Sequence, residues 1–299
     1  TGRPKDILEA AWANKLRVPE STGYTRLDEP IDGGWTPGRF YIWGMPSGHG
    51  KSSLCCNFTS RRAEQGYPTI INSLEMPAPD LLFRMISDIA EVPIIAAENP
   101  DGGAQDLDEY ERIMKARDLL DANVRIYDMQ ADAVEMERRL RRHKAEFQEQ
   151  QVFVQVDHVG IVQRGSRGNE WSELETMSYA LSNIAKTHEV PLLAYSQVPA
   201  DVELELINQN MVIHHRDFRG SRGIRNAVDY AIMGCKHSGV SKNEDGDYVH
   251  DYAYRNHTVI QVIKNRRTGR QFWGVFQYEP EYYRLRNTKN EDTKDDIYI

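Results

Sequence analysis

The sequence predicts an α/β protein: a mostly parallel, twisted sheet flanked by helices, with antiparallel strands near the C-terminus. Three observations carry this. Short apolar runs recur along the chain, separated by stretches of helical length and spacing, with no internal repeat. The first strong run, Phe40-Tyr41-Ile42-Trp43, feeds a glycine-rich turn, Met45-Pro46-Ser47-Gly48-His49-Gly50-Lys51-Ser52, which opens a helix over 52–65. Several runs end on polar groups (Gly44 with the turn, Glu75, Asp157, Gln197), as strands do when their carboxyl ends face a ligand.

Each element has a local reason. Residues 4–17 space Ile7, Leu8, Ala11, Trp12 and Leu16 along one helix face ahead of Pro19. This helix lies at the domain edge and packs either on its own domain or on a neighbouring subunit. Gly33-Gly34 and Pro37-Gly38 mark turns before the first core strand. A strand over 69–74 runs into Glu75; Pro77 and Pro79 break the chain, and a helix over 80–90 follows. A loop is expected over 98–105, then a helix over 107–120 and a strand over 124–127. The helix over 131–148 alternates Glu and Arg, the pattern of a solvated face. A strand over 152–157 closes on Asp157, and a helix over 171–188 follows a polar loop. The strand over 191–195 ends at Ser196-Gln197. Beyond a loop over 208–222, residues 226–234 lead into another strand, Asp245-Gly246 is a hairpin turn, and a strand over 257–263 follows.

The 299 residues suit one large domain or two small ones, with 40% apolar residues for a core. The three cysteines, Cys55, Cys56 and Cys235, make neither a zinc cluster nor a disulfide framework and suit a reducing compartment. No apolar run reaches the roughly twenty residues of a membrane span, and no secretory signal is visible. A cytoplasmic protein is expected. The net charge of −8 argues against a general nucleic-acid coat. It does not exclude a strand threaded past a small basic loop, where the local field decides.

The turn at 45–52 has the form of a phosphate cradle. Backbone N–H groups of Ser47 to Ser53 and the positive helix end would hold phosphates, with Lys51 neutralising the β and γ oxygens. The Ser52 hydroxyl is placed to ligate Mg²⁺. The strict pattern wants Gly at position 45, where this chain has Met, so Gly44 and Gly48 are expected to supply the flexibility. Asp157 suits a carboxylate that orders Mg²⁺, Glu75 a general base for water, and Gln197 a sensor of the γ-phosphate. The competing readings are a strand-terminal cap, an N-cap partner and a loop-satisfying amide. Lys264 and Arg266 share a side if the final strand continues through them, and suit either a salt-bridged hairpin edge or an arginine finger offered across a subunit interface. Arg216, Arg219, Gly220, Ser221 and Arg222 mix guanidinium groups with flexible backbone, a candidate polymer contact; Arg164 and Arg167 form a weaker second one. His214, His215 and Asp217 have no further ligand cluster beside them to make a metal site.

Together these motifs resemble the motor domain of ring-shaped replicative DNA helicases, the DnaB-like and phage primase–helicase family with a RecA-like fold. The resemblance covers residues 21–286. It rests on Ser21 to Asp28 with Gly33 to Gly38, the cradle, Ser73-Leu74-Glu75-Met76-Pro77, Val156-Asp157, Ser196-Gln197, Asp217 to Ser221 with Ala227 and Asp229, and Lys264-Asn265-Arg266 before Thr268-Gly269. The glycine-rich cradle is closer to the phage form.

The resemblance implies ATP and Mg²⁺ as cofactors and a hexameric ring around single-stranded DNA that travels 5′ to 3′. It implies Glu75, Lys51 and Gln197 as catalytic, Lys264 and Arg266 acting in trans, and Arg219 and Gly220 touching the strand. Residues 1–20 would be a linker helix docked on a neighbour, and 287–299 a polar acidic tail. A primase and a ring loader belong to the same picture, although no residue here specifies them. Two other readings stand beside it: a RecA-like recombination or clock-type ATPase, and a nucleotide-binding scaffold or loader without motor activity.

Overall fold

The computed structural model describes residues 3–5, 8–9, 18–148, 150–159, 170–198, 226–236, 240–242, 248–250, 256–286 and 297–298. Among them, the lead-in forms a short helix, α1 (Thr25–Asp28), continued by a 3-10 turn over Glu29–Ile31. Then come β1 (Phe40–Pro46), α2 (Lys51–Glu64), β2 (Thr69–Ser73) and α3 (Ala78–Ala90). The short helices α4 (Ile94–Glu98) and α5 (Pro100–Gly103) lead to α6 (Leu107–Asn123), β3 (Val124–Tyr127), α7 (Ala133–Glu146) and β4 (Phe153–Asp157). Next are α8 (Glu170–His188), β5 (Leu192–Val198), β6 (Tyr230–Lys236) and a small antiparallel pair, β7 (Val240–Lys242) with β8 (Tyr248–His250). The last strands are β9 (His257–Asn265), β10 (Phe272–Glu279), β11 (Arg284–Leu285) and β12 (Ile297–Tyr298).

The main sheet runs β11-β10-β9-β6-β1-β5-β4-β2-β3, with β12 on β10. From β6 to β3 every pairing is parallel; β9, β10, β11 and β12 are joined antiparallel. The mostly parallel sheet with an antiparallel end is the architecture expected. β1 lies at the centre, so the turn that follows it emerges between β5 and β6.

Both faces of the sheet are covered, and the period of two decides which side chain goes where. On β1, Tyr41, Trp43 and Met45 enter one core with Phe58, Leu81 and Ile113, whereas Phe40 and Ile42 enter the other with Leu181 and Ile184. The lead-in buttresses the first core. Trp35 stacks on Phe153, and the Asp28 carboxylate accepts from Ser21 and Thr22, closing the turn. Gly34, at φ +120°, is required there, because a Cβ would fall 2.1 Å from the Glu20 carbonyl oxygen.

Some expectations change. Residues 98–105 are not a continuous loop, since the chain there carries α5 and the end of α4. Pro79 does not break α3; it occupies its first turn, where a missing N–H costs nothing. Asp106 and Asp132 cap α6 and α7 by accepting from Glu109 and Glu135 backbone N–H groups. β9 runs past the expected 257–263 to Asn265 but not through Arg266, because the Asn265 amide oxygen accepts from the Arg267 and Thr268 N–H groups and turns the chain; β10, β11 and β12, which the apolar spacing does not place, follow it. All three cysteines are buried and none is in a disulfide. No helix among the described residues is long and apolar enough to cross a membrane. The helix expected over 4–17, the hairpin turn at 245–246 and the acidic tail fall wholly or largely outside the described residues.

Candidate active site

The turn after β1 positions the site. Gly48 and Gly50 adopt φ +76° and +101°, which L side chains rarely do, and Gly50 is the N-cap from which α2 begins. Gly44 stays in β1, paired with Ser196 and Met233, so Gly48 and Gly50, not Gly44, replace the glycine missing at 45. The helix is held from below. The Tyr195 hydroxyl donates to Gln155 at 2.6 Å, whose amide donates to the Thr59 hydroxyl at 2.6 Å and the Cys55 carbonyl at 3.2 Å. The His49 imidazole Nδ1 accepts from the Lys236 backbone N–H at 3.1 Å, tying the turn to the end of β6.

At this edge opens a cavity of about 370 Å³. The cradle residues 47 to 53 and Glu75 line it. Lys51, at the start of α2, is only 7% exposed, so a charge brought to it would meet little screening by water. Asp157 ends β4 beside it, fully buried. Burial pushes its carboxyl above the ordinary value; the Ser52 hydroxyl, His158 and Lys51 pull the other way. Among the described residues neither Asp157 oxygen has a well-formed hydrogen bond, so the Ser52 hydroxyl stabilises the charge without satisfying it. A buried carboxylate left without a donor beside a serine hydroxyl fits a hard divalent cation such as Mg²⁺.

Glu75 is exposed, and its Oε2 lies 3.0 Å from His158 Nδ1. Ligand atoms of Glu75, Asp157 and His158 all lie within 4.8 Å of one another. Burial and Lys51 hold the His158 pKa below its ordinary value. Glu75 does not cap α3: Asp128 does, accepting from the Ala78 N–H at 3.0 Å, which leaves the Glu75 carboxylate to the cavity. Gln197 lies in β5 opposite Met45, half-buried at the same edge, but does not line the cavity.

Lys264 and Arg266 are elsewhere. Lys264 pairs with Ala231 and Asn265 with Tyr230, at the start of β6, whereas the cradle lies beyond its end. Lys264 Nζ donates to the Val228 carbonyl at 2.8 Å; Arg266 donates to the Asn226 carbonyl at 2.9 Å and lies 3.7 Å from Asp229. Both are therefore at the opposite edge of the sheet from Lys51. Asp229 is structural: it accepts from the Phe40 N–H and from Arg39. The candidate strand-contacting residues Arg164, Arg167, Arg216, Arg219, Gly220, Ser221 and Arg222 lie outside the described residues.

The profile described as "DnaB-like helicase C terminal domain" matches residues 20–287, most of the chain. The chain belongs to that family. The replicative DNA helicase DnaB of Leifsonia xyli subsp. xyli is 28% identical over 226 residues, covering 74% of this chain and 48% of that protein. The replicative DNA helicase DnaC of Bacillus subtilis is 28% identical over 246 residues, covering 81% of this chain and 50% of that protein. The chain thus spans about half the length of these relatives. Among solved structures, an ATPase domain superposes with a TM-score of 0.81 at 16% identity, covering 97% of this chain and all of that one. A DnaB-like replicative helicase, described with its interactions with primase, gives 0.78 at 16% identity, over 95% of this chain and 67% of that one. At such identity these show the fold, the RecA-like P-loop NTPase architecture.

The cavity of this DnaB-like domain also has a wall that sequence reasoning missed. Arg84 of α3, Lys236, His257, Tyr278 and Tyr283 also line the cavity. Arg84 lies over the Tyr283 ring, 4.9 Å from its centroid. That wall is fastened to α2 by Asn57, whose amide donates to the Tyr283 carbonyl at 2.6 Å and accepts from the Leu285 N–H at 2.7 Å. Beside it the buried Asp88 pairs with Arg61 at 3.0 Å and Arg284 at 3.5 Å. Aromatic residues after a strand carry no signal of their own; only the fold brings them to the cradle.

Proposed function

We propose that the chain is the motor domain of a ring helicase, using ATP hydrolysis at subunit interfaces to travel 5′ to 3′ along single-stranded DNA. One observation carries this: the cradle, Glu75 and the unsatisfied Asp157 share one edge of the sheet, while Lys264 and Arg266 lie at the other. Each protomer then holds one half of a hydrolysis site and presents the missing cations to a neighbour.

In this reading the triphosphate lies along Ser47 to Ser53, with Lys51 against the β and γ oxygens. Ser52 and Asp157 would hold Mg²⁺, which neutralises phosphate charge when bound. Glu75 takes a proton from water as its oxygen bonds to the γ-phosphorus; the bridging oxygen leaves with ADP. Gln197 senses the γ-phosphate, and Arg266 with Lys264 of a neighbour stabilises the charge on the transferring group. Arg216, Arg219, Gly220, Ser221 and Arg222, with Arg164 and Arg167, are the proposed strand contacts.

Ring closure has a candidate surface. Pro79, Leu82 and Phe83 of α3, Met114 of α6 and Ile126 of β3 line a second, largely apolar cavity of about 660 Å³. The apolar face spelled by Ile7, Leu8, Ala11, Trp12 and Leu16 of a neighbour is its proposed occupant. A primase and a ring loader are further proposed partners, at surfaces this domain does not specify.

The test is ATPase rate against single-stranded DNA concentration, together with mixing of Glu75→Ala and Arg266→Ala subunits. A stimulated rate and partial recovery in mixed rings are expected, because some interfaces then combine an intact Glu75 with an intact Arg266. A flat DNA curve would sink the motor; no recovery would sink the finger in trans.

A further inference from the structure

The carboxylate assigned as general base is exposed, unlike the buried Lys51 and Asp157. The Glu75 side chain is 45% exposed and belongs to a short link between β2 and α3. A glutamate so placed samples several rotamers, and fixing it costs side-chain entropy. His158 is the opposite: its side chain is 7% exposed, and it follows Asp157 directly at the end of a central strand. The frame around it is rigid, since the Leu74 N–H donates to the Asp157 carbonyl and Ser73 pairs with Asp157 across β2 and β4. An ionised carboxylate can only accept, so the 3.0 Å contact requires the imidazole proton on Nδ1, donated to Glu75 Oε2.

We propose that His158 is a positioning residue for Glu75: its Nδ1–H holds Oε2 and leaves Oε1 directed at the attacking water. This rests on the reading of Glu75 as the base. The role differs from that of Asp157, which precedes it in the chain, and from that of Lys51, which meets phosphate. His158 itself touches neither water nor nucleotide in the reaction; it acts through the carboxylate. One strand end thereby orders both the cation, through Asp157, and the base, through His158.

The experiment uses the full chain with Mg·ATP and single-stranded DNA, turnover read by phosphate release and affinity by a fluorescent ATP analogue. His158→Leu is expected to lower kcat by roughly 10- to 100-fold, part of the ~10²–10⁴-fold a general base supplies, with nucleotide affinity within twofold. His158→Asn, whose amide nitrogen can stand where Nδ1 stands, restores most of the rate; His158→Gln, which reaches the Nε2 position, does not. In a Glu75→Gln background His158→Leu costs nothing further, because the group it positions is gone. If Glu75→Gln keeps its turnover, the base assignment fails. If Glu75→Gln is inactive while His158→Leu turns over normally, the positioning role alone fails. A His158→Leu protein that loses nucleotide affinity in step with kcat overturns it as well. Should that variant not fold, the Asn-over-Gln order of rates decides, and equal rates reject the proposal.

Discussion

The two edges of the central sheet are built on different rules. At the carboxyl edge, Lys51, Asp157 and His158 are buried charged or polar groups, and the Asp157 oxygens lack well-formed donors. At the opposite edge polar groups are satisfied. Asp229 accepts from Phe40 and Arg39, Lys264 donates to Val228, and Arg266 donates to Asn226. The first edge holds a carboxylate without well-formed donors; the second holds its cations by backbone carbonyls and, for Arg266, beside the Asp229 carboxylate as well. An exposed guanidinium on a carbonyl leaves most of its donors available, and Arg266 is 47% exposed.

The contrast is most strongly tested by Arg266→Ala. Turnover should fall by about 10³-fold or more, while nucleotide affinity and melting temperature stay near those of the parent. Loss of nucleotide binding in the isolated protomer would mean that the two edges are not separate. Glu75→Gln comes next, with kcat falling by roughly 10²- to 10⁴-fold and fluorescent nucleotide still bound. Retained hydrolysis would move the base elsewhere.

Asp229→Ala should act on folding instead. It strips the buried Phe40 N–H of its acceptor, which costs about 1–3 kcal/mol, seen in urea melts. A stability loss as small as that of Arg266→Ala would contradict the satisfied-edge reading.

The smallest effect concerns pH. Burial holds the Asp88 carboxyl up at about 6, with Arg61 and Arg284 pulling it down but not enough. A carboxyl raised in the fold contributes stability that is fully present below its unfolded value and is lost as pH rises through about 6. Comparing the parent with Asp88→Asn across about pH 4 to 7, the parent's relative stability should decline by on the order of 2 kcal/mol as pH rises. A difference that does not vary with pH would show that the two arginines fully offset burial.

How much was legible in the sequence follows from how local each signal is. The glycine-rich turn could be read because a backbone need within a few bonds selects glycine, although that need falls on Gly48 and Gly50 and not on Gly44. Glu75 and Asp157 could be read because each closes an apolar run. Whether the strand continued through Arg266 stayed open, since a side-chain amide that ends a strand leaves no break in apolar spacing. The short helices at 94–103 were missed because they are barely one turn each, too short for periodicity to register.

By itself, the sequence determined the α/β class, the glycine-rich turn and the polar residues at the strand ends, all properties set by neighbours in the chain and by the periods of strand and helix. Only the tertiary structure decided the partnerships across long separations. His158 meets Glu75 because β4 lies beside β2. Tyr278 and Tyr283 reach the cradle because β10 and β11 return along the sheet's far end, and Arg84 meets Tyr283 there from α3. Lys264 and Arg266 stand opposite Lys51 because β9 runs antiparallel to β6, so its final residues emerge at the edge where β6 begins. Strand direction is fixed by which neighbours can bury each face and pair each backbone group. No stretch of sequence encodes it alone.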